Sequence, residues 1–252
     1  MLQQQVAVVL GATGMIGNLL TQRLLKDPGF SKVRVLVRRP LAYEHPRLEV
    51  QVVDFDNINE IQSRLGTGDC IFSCIGTTQK AVQKDEALYW KIDHDIPVHV
   101  ATLGKAAGFH TFLLVSSVGA NAKTTNFYLQ LKGITEQDIL AENYNSTHIF
   151  RPSLLLGERA EKRFGEGAFQ SIIKPLSPLM FGSLQKYKPV QAADIAKAMI
   201  VAANTPSTGK HIYEYNEIMQ LANALEPQKM DKPSPTIPDT DASNFDMEFY
   251  NK

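Results

Sequence analysis

The stretch that decides the fold is Val6-Ala7-Val8-Val9-Leu10-Gly11-Ala12-Thr13-Gly14-Met15-Ile16-Gly17, near the N-terminus. Its Val-rich apolar run predicts a buried strand, and the residues after the last glycine have the apolar spacing of a helix. Three glycines at three-residue intervals lie between them, where a backbone can adopt a positive φ or approach a neighbour closely. A strand, a glycine turn and a helix N-terminus are the usual cradle of a dinucleotide pyrophosphate, because the helix end offers N–H groups and a positive dipole.

Six residues of this turn are expected to contact the dinucleotide. They are Gly11, Thr13, Gly14, Met15, Ile16 and Gly17. The glycines let the backbone come close to the phosphates, and the first turn of the helix supplies the N–H groups. A glycine triplet alone is a weak signal, so a dinucleotide site needs support from the rest of the chain.

Strands and helices alternate along the first 150 residues. Apolar runs predict further strands over 33–37, 48–53, 70–75, 110–115 and 147–150. Helical patterns lie between most of them, and the longest, over 87–107, is interrupted by Pro97. This alternation with short connections indicates an α/β protein with a doubly wound parallel sheet of the Rossmann type.

The pattern loosens after Pro152. We predict one domain over 1–225, in which 153–225 forms a small C-terminal lobe on the substrate side. An amphipathic helix over 190–203 is the clearest element of this lobe. Residues 226–252 contain four prolines and no long apolar run, so they cannot bury enough surface to fold alone. We expect them to form a disordered tail.

Charge and composition exclude several classes of function. The 252 residues carry 26 Lys and Arg against 26 Asp and Glu, so no basic field is available to recruit nucleic acid. No run approaches the roughly 20 apolar residues of a membrane span, no signal peptide is visible, and no set of residues has metal-ligand spacing. Cys70 and Cys74 lie too far apart on one strand to bridge, and free thiols fit a reducing compartment. We expect a cytoplasmic protein without nucleic-acid, membrane or metal partners.

Two arginines bear on the choice of dinucleotide. Arg38 and Arg39 directly follow the second predicted strand, about 20 residues after the glycine turn, where the ribose is read. An acidic residue there suits the ribose 2′-OH of NAD, whereas arginine suits the 2′-phosphate of NADP. The alternative is a pair of solvated loop arginines. The position favours NADP(H).

Two further strand ends are predicted to contact the cofactor. Asp54 ends the third strand and is placed either to contact adenine or to cap the following helix. Gly76 and Thr77 follow the fourth strand, at the carboxyl edge where ligands of such sheets bind. There they either bring the backbone close to the cofactor's central ribose or form an ordinary turn between strand and loop.

Candidate catalytic residues follow the fifth strand. Ser116 and Ser117 end that strand, and Tyr128 and Lys132 lie four residues apart on one face of a predicted helix. A lysine ammonium beside a phenol favours the phenolate, so a tyrosine in this setting can exchange protons while hydride moves to or from nicotinamide. A serine hydroxyl opposite can hold and polarise the substrate oxygen.

These residues carry a resemblance to a known family. The motifs are Leu10-Gly11-Ala12-Thr13-Gly14, Val37-Arg38-Arg39, Val53-Asp54-Phe55, Cys74-Ile75-Gly76-Thr77-Thr78, Ser116-Ser117-Val118-Gly119-Ala120, Asn126-Phe127-Tyr128-Leu129-Gln130-Leu131-Lys132-Gly133 and Phe150-Arg151-Pro152. With them the sequence resembles the atypical branch of the short-chain dehydrogenase/reductase superfamily, in particular the Tat-interacting protein oxidoreductases and their bacterial NAD(P)H-binding relatives. The resemblance extends to about residue 225.

The resemblance implies roles for individual residues. By it, Tyr128 is the proton donor or acceptor and Lys132 binds the nicotinamide ribose. Phe55, Pro152 and Leu154 belong to the implied cofactor contacts, with 154–156 near the nicotinamide. Tyr128 follows Ser117 by eleven positions, slightly fewer than in standard members, so either serine is a candidate to face the substrate. We favour Ser117.

Three functions fit these residues. The first is an NADP(H)-dependent oxidoreductase that acts on a small carbonyl or alcohol, with specificity built by 157–188. The second is an NADPH-binding sensor without turnover, which docks a protein partner through the proline-rich tail. The third is a sugar-nucleotide epimerase with tightly held NAD. Arg38 and Arg39 argue weakly against it, because their position favours NADP(H). The intact Tyr128 and Lys132 pair favours the first.

Overall fold

The computed structural model describes residues 4–78, 81–156 and 182–224. The strands are β1 Gln5–Leu10, β2 Phe30–Val37, β3 Leu48–Val52, β4 Cys70–Ser73, β5 Thr111–Val115, β6 Ser146–Phe150, β7 Leu155–Leu156, β8 Val190–Gln191 and β9 Gly209–Tyr213. The α-helices are α1 Met15–Leu24, α2 Ile58–Leu65, α3 Glu86–Trp90, α4 Ile96–Ala106, α5 Phe127–Ala141, α6 Ala192–Asn204 and α7 Tyr215–Ala224. A π-helical turn, Lys91–Asp95, joins α3 to α4, and a 3-10 helix spans Gly182–Tyr187.

The main sheet of the described residues has seven parallel strands in the order β3-β2-β1-β4-β5-β6-β9. The strand order reverses between β1 and β4, which lie side by side, with Leu10 opposite Ser73. A crevice forms outside the carboxyl ends of the strands at such a switch point, and ligands of doubly wound sheets bind there. The predicted fold class is confirmed.

Two apolar layers cover the two faces of the sheet. Along β1, Val9 belongs to the layer of α1 and α6, while Val8 and Leu10 belong to the layer of α2 and α4. Because successive side chains of a strand alternate between faces, a strand covered on both sides has to be apolar throughout. This explains the continuous Val-rich run that opens the sequence.

The described parts of 153–225 join the main layers. β9 pairs with β6 and becomes the outer strand of the sheet, and α6 packs against α1. The short strands β7 and β8 pair with each other through Leu155 and Val190. Residues 157–181 and the predicted tail lie outside the described residues, so the proposed limits of the lobe and the tail stay predictions.

The glycine turn is tight because backbone meets backbone. Gly11 has a φ of +76°, and a Cβ added to it would lie 2.7 Å from the carbonyl carbon of Cys74 at the end of β4. A Cβ on Gly17 would overlap the carbonyl oxygen of Gly11, so this glycine lets α1 start directly against the turn. Two of the three glycines are therefore required by packing.

His148 is an ionisable group buried in the sheet. Its ring lies in β6, with Nδ1 2.9 Å from the hydroxyl of Tyr213 and Nε2 2.9 Å from that of Ser146. His211 stacks on it with ring centroids 4.9 Å apart. Burial, with a smaller effect of His211, lowers the pKa of His148 to about 4. The imidazole is therefore neutral in the folded protein at neutral pH.

Replacement of Gly11 by Ala tests the turn, with Gly209→Ala as its matched control. Both glycines have a positive φ, +76° and +83°, but nothing lies within 4 Å of a Cβ on Gly209. The control should lose about 1–2 kcal/mol of unfolding free energy through backbone strain. Gly11→Ala should lose about 1–3 kcal/mol more through the clash, measured by urea denaturation. Equal losses would contradict the packing argument.

Acid should destabilise the fold through His148. The unfolded state takes up a proton near pH 6.5 and the folded state only near pH 4, so the unfolding free energy falls as the pH drops between these values. The loss approaches about 3 kcal/mol. Urea titrations across this range should show a shallower pH dependence in His148→Gln than in wild type. In the matched variant His211→Gln the wild-type dependence should largely persist.

Candidate functional site

The predicted site residues meet at one edge of the sheet, because each follows the carboxyl end of a parallel strand. In the strand order, these residues are Asp54, Arg38, Gly11, Gly76, Ser116 and Ser117, and Pro152. Tyr128 and Lys132 come from α5, which packs beside α4 and the π-helical turn. The site is thus built by seven separate parts of the chain.

The N-terminus of α1 has the character of an anion site. The Gly14 N–H closes the turn on the Gly11 carbonyl at 2.9 Å, and the first helical bond runs from the Asn18 N–H to Gly14 at 2.9 Å. The N–H groups of 15–17 precede that bond, so they have no intrahelical partner. The first turn contains no acidic residue and Gly14 provides no side-chain cap. These groups fit a pyrophosphate.

Positive charge lies at the end of β2. Arg38 and Arg39 are both exposed directly after this strand. The Val53 N–H donates to the Val37 carbonyl at 2.9 Å, which holds the ends of β2 and β3 together just before Arg38 and Asp54. The arginines therefore border the crevice on the side of β3.

Asp54 does not cap the following helix. Its carboxylate accepts the Asp56 N–H at 2.9 Å, whereas Asn57 caps α2 and accepts the N–H groups of Asn59 and Glu60. The capping alternative for Asp54 is therefore wrong, and its side chain is exposed at the strand edge. Phe55 is partly buried against the layer of α2 and α4.

The loop after β4 is tied to the π-helical turn. The Thr77 N–H donates to Asp93 Oδ2 at 2.7 Å, and the Thr77 carbonyl accepts the hydroxyl of Tyr89 at 3.3 Å. A Cβ on Gly76 would lie 3.4 Å from Asp93 Oδ1 and 3.9 Å from Lys132 Nζ. The absence of a side chain at Gly76 thus leaves the space beside the lysine ammonium open to a ligand.

Lys132 forms a buried ion pair with Asp93. Its Nζ lies 2.8 Å from Asp93 Oδ1, and the two residues are only 5% and 2% exposed. Burial acts to lower the pKa of Lys132, but the charge of Asp93, with smaller effects of Tyr128 and Glu136, raises it above the ordinary value. The lysine is therefore an ammonium at neutral pH although it is buried.

Pro97 leaves the backbone carbonyl of Asp93 without its usual helical hydrogen bond. A proline has no N–H, so Pro97 cannot donate to the carbonyl four residues earlier, which belongs to Asp93. The hydroxyl of Thr135 on α5 lies 3.2 Å from that carbonyl oxygen and 2.9 Å from the carbonyl oxygen of Leu131. The helix passes through a π-helical turn at this point, in which the Ile96 N–H donates to the Lys91 carbonyl, and the Asp93 carbonyl faces Thr135 on α5.

Tyr128 lies one helical turn before Lys132. Its ring is partly buried and meets that of Tyr89 edge to face, with centroids 6.4 Å apart. Asn126 caps α5 by accepting the Leu129 N–H at 3.0 Å. No hydrogen bond from the Tyr128 hydroxyl reaches a described residue. The ring of Tyr128 is thus held by packing, and its hydroxyl oxygen is available to a ligand.

The loop after β5, residues 116–122, is called the serine loop here, and it packs against α5. The Asn121 N–H donates to the Leu129 carbonyl at 3.0 Å. A Cβ on Gly133 would overlap the backbone of Asn121 and the next residue, so this glycine permits the close contact. Ser116 and Ser117 are therefore held in a fixed relation to α5.

The two serines have different surroundings. Ser116 is buried, and its hydroxyl donates to the carboxylate of Glu136. Arg151 binds the same carboxylate with two nitrogens, of which Nε lies 2.9 Å from Oε1. Ser117 is only partly buried, and its hydroxyl lies 3.5 Å from the neighbouring Val118 carbonyl. Ser117 is the one whose hydroxyl has no strong partner among the described residues.

The implied contacts after β6 lie on the same edge. The Pro152 carbonyl accepts the Val118 N–H at 2.9 Å, and the Leu154 carbonyl accepts the Val190 N–H at 3.0 Å. Residues 152–154 are thus fixed beside the serine loop.

The sequence reasoning missed the polar and charged partners of this site. It gave no role to Asp93, Thr135, Glu136 or Arg151, although the sequence contained two signals that involve them. Glu136 lies one turn after Lys132 on the same face of α5, and Pro97 lies four residues after Asp93. Neither signal identifies a partner, because the partners come from other elements.

The described part of the chain offers neither a metal site nor a membrane-spanning helix. No cluster of three or more His, Cys, Asp or Glu side chains is arranged to hold a metal ion. None of its helices combines the length and the apolar character needed to cross a membrane.

Comparison with known proteins identifies relatives along most of the chain. A family model described as NAD(P)H-binding matches residues 11–156. The Candida glabrata protein named "Protein FMP52, mitochondrial" is 35% identical over 232 residues, which cover 88% of this chain and 97% of that protein. "Protein HTATIP2" of Rattus norvegicus is 30% identical over 237 residues, 91% of this chain and 94% of the rat protein.

Solved structures agree on the fold. The enzyme WbmH of Bordetella bronchiseptica, in complex with NAD+, superposes with a TM-score of 0.63 at 14% identity, over 84% of this chain and 76% of that chain. At such low identity the likeness concerns the fold alone. It confirms a Rossmann-type sheet. The family resemblance predicted from the sequence is confirmed instead by the matches to the NAD(P)H-binding family model and to the HTATIP2 and FMP52 proteins.

The relatives correct one expectation from the sequence. The FMP52 proteins of several yeasts are named as mitochondrial, which overturns the cytoplasmic location expected above. That expectation was wrong because it used the lack of a visible secretory signal and two free cysteines, neither of which separates the cytoplasm from other reducing compartments.

The matches cover the glycine turn, the serine loop and the helix of Tyr128 and Lys132. The chain belongs to the NAD(P)H-binding family.

Proposed function

We propose that the protein is an NADP(H)-dependent oxidoreductase of the atypical short-chain dehydrogenase/reductase type. It exchanges hydride with a small carbonyl or alcohol substrate. The observation that carries the proposal is a buried, charged Lys132 one helical turn from a Tyr128 hydroxyl without a partner among the described residues. A sensor that only binds the dinucleotide has no use for this pair.

Each residue at the crevice has a defined task in this proposal. The N–H groups at the start of α1 bind the pyrophosphate, and the open space at Gly76 admits the nicotinamide ribose to the Lys132 ammonium. Ser117 holds the substrate oxygen, and Tyr128 moves a proton to or from that oxygen. The bound nicotinamide supplies or accepts the hydride. Ser116, predicted as a second candidate, instead anchors the loop through Glu136.

The names of the FMP52 relatives also suggest where the protein works. We propose a mitochondrial location for this chain on that ground. Imaging of the full chain with a C-terminal fluorescent tag tests it.

Tyr128→Phe tests the chemical role of the phenol. The loss of a positioned acid or base should lower turnover of a carbonyl panel with NADPH by about 100-fold or more. NADPH affinity should change by less than about 3-fold, because packing of the ring is kept. Tyr144→Phe is the control, since its hydroxyl bonds the Ala101 carbonyl away from the crevice, and it should retain turnover. Turnover that survives in Tyr128→Phe would refute the mechanism, and NADPH binding without turnover in wild type would favour the sensor.

Replacement of both Arg38 and Arg39 by Ala tests the choice of cofactor. Loss of charge-assisted bonds to the 2′-phosphate should weaken NADPH binding about 10- to 100-fold. NADH lacks this phosphate, so its affinity should stay within about 3-fold. Lys210→Ala, which removes an exposed cation on β9, should change neither affinity. Fluorescence titration measures both, and equal losses for NADPH and NADH would refute the preference for NADP(H).

A further inference from the structure

A cavity of about 220 Å³ lies at the edge of the sheet opposite the crevice of the candidate site. Its floor comes from the amino ends of the strands, where Gln5 begins β1, Thr111 begins β5 and Ser146 begins β6. Because β5 has five residues, about 15 Å of sheet separates this edge from the serine loop. The amino-edge cavity, as we call it, is therefore a separate place from the dinucleotide crevice.

The floor of the amino-edge cavity is polar although it belongs to a covered face of the sheet. Thr111, Ser146 and His148 line it, and they are only 8%, 3% and 2% exposed. Further along the same face of these strands, Leu113 and Phe150 belong to the apolar layer of α1 and α6. The strands thus depart from their apolar pattern where the cavity begins.

Three polar side chains of the floor bond to one another. Ser146 Oγ lies 2.9 Å from both His148 Nε2 and Ser207 Oγ, and Ser207 Oγ lies 3.3 Å from the same nitrogen. Each hydroxyl has one proton but two lone pairs. Because the protons are used within this triangle, the oxygens offer lone pairs to a guest. Burial lowers the pKa of His148 to about 4, so the imidazole adds no positive charge at neutral pH.

The C-terminal turn of α6 forms a wall of the cavity. Ala202, Ala203 and Asn204 line it, and the two alanines are small enough to leave the space open. The last four carbonyls of a helix lack intrahelical partners and form the negative end of its dipole. The last turn of α6 contains no basic residue. Gln5 Nε2 already uses acceptors at this end, the Ala203 carbonyl at 3.4 Å and Asn204 Oδ1 at 3.2 Å.

We propose that the amino-edge cavity binds a small primary ammonium compound. Such a group has a positive charge and three N–H donors but no acceptor. It complements a cavity that offers the negative end of a helix, carbonyl and amide oxygens, and hydroxyl lone pairs. None of the described residues that line the cavity is a lysine, an arginine, an aspartate or a glutamate. This site goes beyond the function proposed above and does not depend on it.

The same features disfavour other guests. An anion would meet the negative end of α6 without a lysine or arginine among the described lining residues to balance it. A divalent metal ion would require a ligand cluster, and the described residues contain no group of three His, Cys, Asp or Glu that could hold one. The volume is below the range of about 300–1,000 Å³ that is typical of drug-sized ligands. The cavity therefore suits a guest of a few non-hydrogen atoms.

Ethanolammonium and ethylene glycol are the probes, because they have equally many non-hydrogen atoms and differ in the charged group. Each is added at neutral pH to the isotope-labelled full chain, and amide chemical shifts are followed by NMR. Ethanolammonium should shift the amides of 146–148 and 202–209 with a dissociation constant of about 1–10 mM. Ethylene glycol should leave them essentially unchanged, as should sodium chloride at equal ionic strength.

Two variants locate the binding. Ala203→Leu fills the cavity without removal of a polar side chain and should abolish the shifts. Ala224→Leu makes the same change at an exposed position of α7, and this matched control should bind as wild type does. Ser207→Ala removes one acceptor and leaves the cavity open, so binding should weaken about 10-fold. This second variant tests the site if Ala203→Leu fails to fold.

Three results would overturn the proposal. The first is an equal response to ethanolammonium and ethylene glycol, because the charge would then have no role. The second is unchanged binding in Ser207→Ala together with shifts that persist in a folded Ala203→Leu, since the ammonium would then bind elsewhere. The third is a wild type that shows no shift at ten times the expected dissociation constant, which would mean that the cavity holds water only. NADPH is absent from these titrations, so their failure leaves the proposed function intact, and a protein without turnover leaves this site intact.

Discussion

The ion pair between Asp93 and Lys132 is the contact on which the site depends. It joins α5 to the π-helical turn, and the second oxygen of the same carboxylate holds the loop after β4 through Thr77. Removal of one partner from a buried pair leaves an uncompensated charge, which typically costs about 3–5 kcal/mol. The opening at Gly76 borders this pair directly, whereas the ring of Tyr128, one helical turn before Lys132, is held by its packing against Tyr89.

Close backbone contacts form the second constraint. Gly11 brings the end of β1 against β4, and Gly133 brings the serine loop against α5. In both places a Cβ would separate two elements whose ends have to converge on one ligand. The glycines therefore do more than provide a flexible turn: they set how closely β1 approaches β4 and how closely the loop after β5 approaches the face of α5 that carries Tyr128 and Lys132.

Local patterns predicted the elements of this fold well. Apolar runs located β1 to β6 of the main sheet, and the three-residue spacing of glycines located the turn between β1 and α1. The four-residue spacing of Tyr128 and Lys132 placed them on one face of α5 without any knowledge of neighbours, because helical periodicity depends on the chain alone. Capping was less predictable: Asp54 and Asn57 are both good caps, and only the observed start of α2 selects Asn57.

The sequence by itself determined the α/β class, the dinucleotide turn and the candidate acid/base pair, since all of these are written in residues a few positions apart. Only the tertiary structure decided how those residues are charged and held. Asp93 meets Lys132 across 39 positions, and Glu136 meets Ser116 across 20. Such pairs depend on how α4, α5 and the strand ends pack against one another, and no local pattern contains that information.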